Sequence, residues 1–151
     1  MATVSGPRPA SLLRRLGAML YDAMLILAIW LLTLFVLVVI TNGAVWGPFV
    51  QSLLFLELFG FFMYFWTWRG QTLGMLAWRI HIEDAEGGPI TMRQALKRFI
   101  GALAALGSLG LGYVWMYLDP ARRTWPDAFS DTALIYTPPG WQAFDADQAN
   151  A

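Results

Sequence analysis

The chain has 151 residues, of which 58% are hydrophobic and 13% charged. Soluble domains average about 25% charged residues, so this composition indicates an integral membrane protein. Ten basic and ten acidic residues give a formal net charge of zero, which argues against nucleic acid as a partner. With no cysteine and one histidine, the chain lacks disulfides, thiol chemistry and cysteine- or histidine-rich metal sites.

The first long apolar run is Leu16–Ile40, which begins directly after two arginines. It is too long for the core of a signal peptide, which has about 7–15 residues, and no Ala-x-Ala-like cleavage site closes it. As a helix it would extend about 37 Å, enough to cross a hydrocarbon core of about 30 Å. We therefore predict an uncleaved transmembrane helix in a membrane domain of residues 11–137, between a mobile tail (1–10) and an irregular C-terminal tail (138–151).

An aspartate, Asp22, lies inside this first span. An ionisable group in a lipid-spanning helix costs about 2.5–3.5 kcal/mol on insertion scales, so it usually faces protein or water. Arg15 lies seven residues earlier on nearly the same helix face. The axial separation is about 10 Å, too far for an i, i+4 pair. Asp22 therefore requires a partner from elsewhere in the chain.

A second apolar segment, Phe49–Trp68, predicts a second span, and aromatic residues mark both of its ends. Three arginines precede the first span, the connector between the spans carries no charge, and Arg69 and Arg79 follow the second span. Because basic residues in short loops favour the cytoplasm, we expect a cytoplasmic N-terminus.

Glu57 lies near the middle of the second span. Two interpretations remain open. It is either a proton or cation relay that works with Asp22, or a neutral carboxyl hydrogen-bonded within the helix bundle or across a homo-oligomer.

A small water-facing element follows. Arg79–Glu83 alternates with the period of a β-strand, which predicts that His81 faces solvent, and residues 86–89 form a turn. Thr91 and Gln94 then match the capping box of a new helix.

The third apolar stretch, Phe99–Leu118, contains a glycine-rich cluster at residues 107–112. It is either a third span or a re-entrant hairpin of two short helices. Two observations favour the hairpin. Arg122 and Arg123 follow closely, and basic residues beside a membrane segment prefer the cytoplasm. The β-prone segment 132–136 also needs to lie on the side of the first strand if the two are to pair.

A set of short motifs follows in a fixed order along the chain: Arg15, Asp22, Gly70-Gln71-Thr72-Leu73-Gly74, Gly87-Gly88-Pro89 and Arg122-Arg123-Thr124-x-x-Asp127. In this order they resemble the RDD family, which is named for one arginine and two aspartates. The resemblance covers roughly residues 11–136, places the family's arginine at Arg15 and its aspartates at Asp22 and Asp127, and implies a small multipass membrane protein, with transport suspected for some members. The family commonly has a lysine at the position of Met75, so whatever that lysine contributes is missing here.

The marked residues suggest a charge cluster. If the C-terminal segment returns to the start of the first helix, Asp127 meets Arg15, and one of the late arginines meets Asp22. The cluster is then either a structural staple, because buried charges need partners, or a site where Asp22 binds a cation or proton during transport. Its candidate members are Arg15, Asp22, Arg122, Arg123 and Asp127.

Asp127 also has a simpler interpretation. Thr124-x-x-Asp127, with Pro126 in the first turn, fits a capping box that places a carboxylate at a helix N-terminus. Capping and pairing with an arginine are compatible roles.

We predict no enzyme, cofactor or metal site, because the sequence shows no nucleophile with a base, metal-ligand cluster or phosphate loop. The leading hypothesis is a small protein of the bacterial cytoplasmic (inner) membrane that transports a cation or small solute as an oligomer. The alternative is a scaffold that binds another membrane protein through Gly17, Ala18 and the glycine-rich third segment. Transport requires a polar path joining Asp22 and Glu57, whereas a scaffold requires a small-residue face with the charges locked.

Overall fold

The computed structural model describes residues 8–137, so the predicted C-terminal tail and the first seven residues lie outside the described residues. Residues 8–137 form two long helices, four short or medium helices and three strands. Their bounds are β1 Arg8–Pro9, α1 Leu12–Thr41, α2 Pro48–Arg69, α3 Leu73–Ala77, β2 Ile80–Asp84, α4 Met92–Gly107, α5 Leu111–Val114 with a 3-10 turn at Trp115–Tyr117, α6 Trp125–Ser130 and β3 Thr132–Tyr136.

Helices α1 and α2 are the two predicted spans. They have 30 and 22 residues, and their most apolar windows have mean hydropathies of 3.1 and 1.5. Helix α1 ends where Asn42 adopts a left-handed conformation, and Gly70 ends α2 in the same way. Pro48 begins α2 at a position where its missing N–H has no cost. The two-span prediction is confirmed.

The third apolar stretch is broken. Helix α4 and the α5 segment meet at a bend of 111°, and Gly110 supplies the left-handed turn between them with a φ of 84°. A Cβ on Gly112 would lie 2.8 Å from the Cα of Ala105, so only glycine lets α5 pack this closely on α4. The chain then returns through α6 to the sheet from which α4 departs, as the hairpin alternative requires.

A three-stranded antiparallel sheet with the order β1-β3-β2 closes one end of the molecule. Strands β2 and β3 pair as predicted, with Ile82 opposite Leu134. Residues 8–10 were predicted to belong to a mobile tail, but Arg8–Pro9 is an edge strand, and the buried Ala10 donates its N–H to Leu134 O at 2.8 Å. Two residues carry too little alternation to reveal a strand, and the free edge of β3 pairs with them.

His81 does not face solvent, so that prediction is wrong. Its side chain is buried and contacts Glu83. The three residues at the start of β2 are all buried, and Thr67 and Trp68 at the end of α2 lie around the same small cleft as His81, so alternation did not reveal which side of the strand faces water.

The core lies at the sheet end of the long helices. Beyond it, most of α1 and α2 is exposed, with only 6% and 17% of their most apolar windows buried, as expected for helices that face lipid. The sheet end therefore holds the parts of the structure that can form a site. Its buried apolar cluster comprises Ala10, Ala18, Met63, Trp66, Met75, Ile80, Ile82, Ile90, Ala95, Phe99 and Leu134.

The return of the chain has a direct test, since the sequence has no cysteine. We expect single cysteines at Ala85 and Ala121 to react with an impermeant maleimide from one side of the membrane and a cysteine at Ala44 from the other. All three positions are exposed. Labelling of Ala121→Cys from the Ala44 side would mean that the bent pair crosses the membrane.

Candidate functional site

Asp127 lies between two arginines in the buried interior. Its Oδ2 accepts a bond from Arg15 Nη1 at 2.7 Å, and its Oδ1 accepts one from Arg98 Nη1 at 2.7 Å. The three side chains are only 4%, 1% and 4% exposed for Arg15, Asp127 and Arg98, respectively. We call them the triad. The predicted contact between Arg15 and Asp127 is confirmed.

The capping box of α6 orients the Asp127 side chain toward both arginines. Thr124 and Asp127 form the predicted capping box of α6, and the Thr124 N–H donates to Asp127 Oδ2 at 3.2 Å. Asp127 therefore caps a helix and pairs with cations at the same time.

The two arginines also form hydrogen bonds outside the triad. Arg15 Nε donates to Ala10 O at 3.0 Å, and Arg98 Nη1 donates to Thr132 Oγ1 at 2.7 Å. Through these bonds one carboxylate connects α1, α4, α6, β3 and the residue that follows β1.

Opposing effects act on the pKa of Asp127. Burial raises it, but the positive charges of Arg98 and Arg15, together with the bonds they donate, lower it below the ordinary value of 3.8. The carboxylate is therefore ionised at neutral pH. With two cations and one anion, the triad carries one net positive charge.

Asp22 finds its partners in the loop formed by residues 70–74. The Thr72 hydroxyl donates to Oδ2 at 2.5 Å, and the Gly74 N–H donates to Oδ1 at 2.8 Å. The Thr72 oxygen also accepts the Met75 N–H at 3.1 Å, so it caps α3 while it holds Asp22.

The predicted pairing of Asp22 with Arg122 or Arg123 is wrong within the described chain. Arg123 donates to Asp119 at 3.3 Å, and Arg122 is exposed. The reason is close packing of α3 on α1, which leaves Asp22 only 2% exposed and already bonded by two donors.

Small residues make this close packing possible. A Cβ on Gly74 would overlap the Ala18 carbonyl and lie 2.8 Å from the Asp22 carboxyl. A Cβ on Gly17 would overlap the ring of Trp78. The face at Gly17 and Ala18, predicted as a docking surface for another protein, is thus covered by the chain's own α3 segment.

Arg98 is the member of the triad that we did not predict. The sequence did contain a signal of its burial. Arg98 lies on the same face of α4 as the apolar residues Ala95, Phe99 and Ala105. A basic residue on an otherwise apolar helix face requires an acidic partner.

The structure does not bring Glu57 to Asp22. Glu57 accepts a bond from Thr33 at 2.6 Å, and Thr33 lies eleven residues beyond Asp22 on α1, about 16 Å along the helix. The second carboxyl oxygen of Glu57 is buried without a partner in the described part of the chain. The two predicted ion-site residues therefore occupy separate places.

A cavity of about 500 Å³ lies beside the triad, between α1, α2 and α4. Arg15, Arg98 and Asp22 contribute to its wall, which is otherwise mostly apolar. Met75, at the position where the family commonly has lysine, also lines it and is buried. This volume falls in the range of small-molecule sites, about 300–1,000 Å³.

The fold has two spanning helices, a bent pair of apolar helices and a sheet end held together by buried ion pairs. It is the fold of a small multipass α-helical membrane protein. The chain belongs to the RDD family, whose model matches residues 9–131. No curated protein and no solved structure matches the chain.

The triad gives a stability prediction. Asp127→Asn leaves two arginines buried without a counter-charge, which we expect to lower the free energy of unfolding by about 3–5 kcal/mol. The measurement is thermal unfolding of detergent-purified protein. Asp119→Asn is the matched control, because it removes an aspartate paired with an exposed arginine, and it should leave the melting temperature nearly unchanged. Equal effects of the two substitutions would contradict the role assigned to Asp127.

The same carboxylate predicts a pH dependence. Its folded-state pKa lies below that of the unfolded chain, so its stabilising effect is present at neutral pH and is lost as the pH falls through the folded pKa. We expect the melting temperature of the natural protein to drop more steeply than that of Asp127→Asn below about pH 4. Parallel curves for the two proteins would exclude Asp127 as the titrating group.

Proposed function

We propose that this RDD family protein is a transporter of a small solute, and that the solute binds in the cavity between α1, α2 and α4. The observation that supports this function best is the cavity itself, which combines apolar walls with Asp22 and Arg98. Pockets of this kind, mostly apolar with a few polar groups, are typical ligand sites.

A small solute fits this arrangement better than a bare cation. Transport of a cation by relay needs Asp22 and Glu57 to be joined, but Glu57 lies on α2 and bonds Thr33, which is eleven residues beyond Asp22 on α1. Asp22 is nevertheless suited to bind and release a proton, because its hydrogen-bond partners are a hydroxyl and a backbone N–H rather than an arginine. In the proposed mechanism, protonation of Asp22 loosens the 70–74 loop and changes access to the cavity.

The second candidate is a non-transporting scaffold that binds another membrane protein. One observation favours it: each arginine of the triad forms an ion pair with Asp127 inside the described chain, so these charges are locked in place. The partner surface would be an exposed face of α1 rather than Gly17 and Ala18, which α3 already covers. Either role can involve a homo-oligomer, and neither requires enzymatic chemistry, a cofactor or nucleic acid.

We also propose that the protein resides in the bacterial cytoplasmic membrane with its sheet end in the cytoplasm. The support is the distribution of charge. Basic residues flank the sheet end, whereas the connector between α1 and α2 has none.

Flux measurements in liposomes test the proposal. We expect the purified protein to move protons together with an added solute, detected with a pH-sensitive dye over a panel of small organic solutes. Asp22→Asn should reduce the flux at least tenfold while thermal stability shows that the fold survives. Glu57→Gln is the matched control, since it neutralises a carboxyl outside the cavity, and it should retain the flux within about twofold.

The other outcomes are equally informative. Flux that survives loss of both carboxylates would reject the mechanism. Equal loss in the two variants would restore the relay between Asp22 and Glu57. No flux with any solute would favour the scaffold.

A further inference from the structure

Two residues of the cavity wall carry a buried hydrogen-bond donor that has no partner in the described part of the chain. The donors are Arg98 Nε and Trp66 Nε1, both on side chains at least 95% buried. The guanidinium carbon of Arg98 lies 5.6 Å from the centre of a Trp66 ring, so the two side chains lie together in one corner of the cavity. Buried donors without partners are rare in folded proteins, and such a pair commonly indicates a missing ligand.

The cavity has one polar end. Along α1 its wall runs from Arg15 to Trp30, fifteen residues or about 22 Å of helix. Arg15 and Arg98 lie at one end, Asp22 lies about 10 Å further along α1, and the wall around Trp30 is apolar. A site of this shape fits a molecule with a polar head and an apolar chain.

The far part of the cavity faces the apolar surroundings of the helices. Three leucines of its wall, Leu27, Leu103 and Leu106, are 54%, 44% and 54% exposed. Since α1 and α4 line opposite sides of this part, an apolar chain can enter sideways from the bilayer.

We propose that this cavity binds a single-chain amphiphile with an anionic oxygen head, a carboxylate or a phosphate, whose head accepts hydrogen bonds from Arg98 Nε and Trp66 Nε1. The inference rests on the proposed function in taking this cavity as the solute site, and it names the class of solute. The chain of the amphiphile lies between α1 and α4, toward Trp30.

Charge balance supports an anion. The triad has two cations and one anion, so an anionic head brings this corner to neutrality. Asp22 is the other acidic group on the wall, and both of its oxygens already accept bonds from the 70–74 loop. The head and Asp22 therefore use different donors.

The head, rather than the chain, determines the selectivity. An apolar chain that leaves the bilayer for the cavity exchanges one apolar environment for another, so its burial contributes little. The head instead gains two donors that otherwise remain unsatisfied, one of them charged.

Binding of palmitate to the detergent-purified protein tests the proposal, measured by native mass spectrometry beside hexadecyl phosphate, hexadecylamine and inorganic phosphate. We expect both anionic amphiphiles to bind and hexadecylamine to bind at least tenfold more weakly. Trp66→Phe, which removes one donor and keeps an aromatic ring, should weaken palmitate binding about tenfold.

Trp68→Phe is the matched control. Trp68 lies two residues beyond Trp66 on α2, is 52% exposed and is not among the residues that line the cavity, so this variant should bind palmitate within about twofold of the natural protein. Melting temperatures of both variants show whether the fold is intact.

Equal binding of hexadecylamine and palmitate would contradict the proposed site for an anionic head group. Equal loss of palmitate binding in the two tryptophan variants would contradict it as well. Inorganic phosphate competing as well as hexadecyl phosphate would reveal a free-anion site and overturn the amphiphile. Palmitate binding without any flux would reject transport and keep this inference, whereas flux without amphiphile binding would do the reverse.

Discussion

The structure depends on one carboxylate held between two buried guanidinium groups. Asp127 is 1% exposed and ionised, and a buried charge of this kind persists only with close partners. Its partners come from α1 and α4, and those arginines also bond Ala10, which follows the edge strand β1, and Thr132, which begins the central strand β3. The ends of a membrane domain more than a hundred residues apart in sequence are thereby brought into one packed unit.

A second buried carboxylate is satisfied by a different means. Asp22 receives a hydroxyl and a backbone N–H from the 70–74 loop, and no net positive charge accompanies them. The loop reaches α1 only because glycine at position 74 lets the backbones approach. The family's two aspartates thus have distinct environments. Asp127 is fixed by opposite charge, whereas Asp22 is held by neutral donors whose bonds can be exchanged at a smaller free-energy cost.

Arg98 links structure to the proposed binding function. One of its nitrogens completes the triad, and another is buried without a partner, while the side chain lines the cavity beside Trp66. A ligand that bonds Arg98 therefore contacts the group that stabilises the returning C-terminal segment. This coupling gives the cavity a route by which occupancy affects the sheet end, even though the long helices beyond it face mainly lipid.

The sequence by itself determined the elements whose signals are local. Long apolar runs predicted α1 and α2, since a membrane requires continuous hydrophobic length. Alternation predicted β2, β-prone residues predicted β3, and the capping patterns at Thr91 and Thr124 marked two helix starts. The need of a buried charge for a partner, together with the hairpin alternative, also predicted that Asp127 meets Arg15.

Only the tertiary structure decided which of several possible partners each remaining group received. Asp22 took Thr72 and Gly74 instead of a late arginine, because backbone donors become available only when α3 packs on α1. Arg98 entered the triad through the packing of α6 on α4, and the edge strand β1 formed because β3 offered a free edge. The cavity is likewise a property of three helices together. Such contacts join residues far apart in the chain, and local sequence patterns do not encode the distances between them.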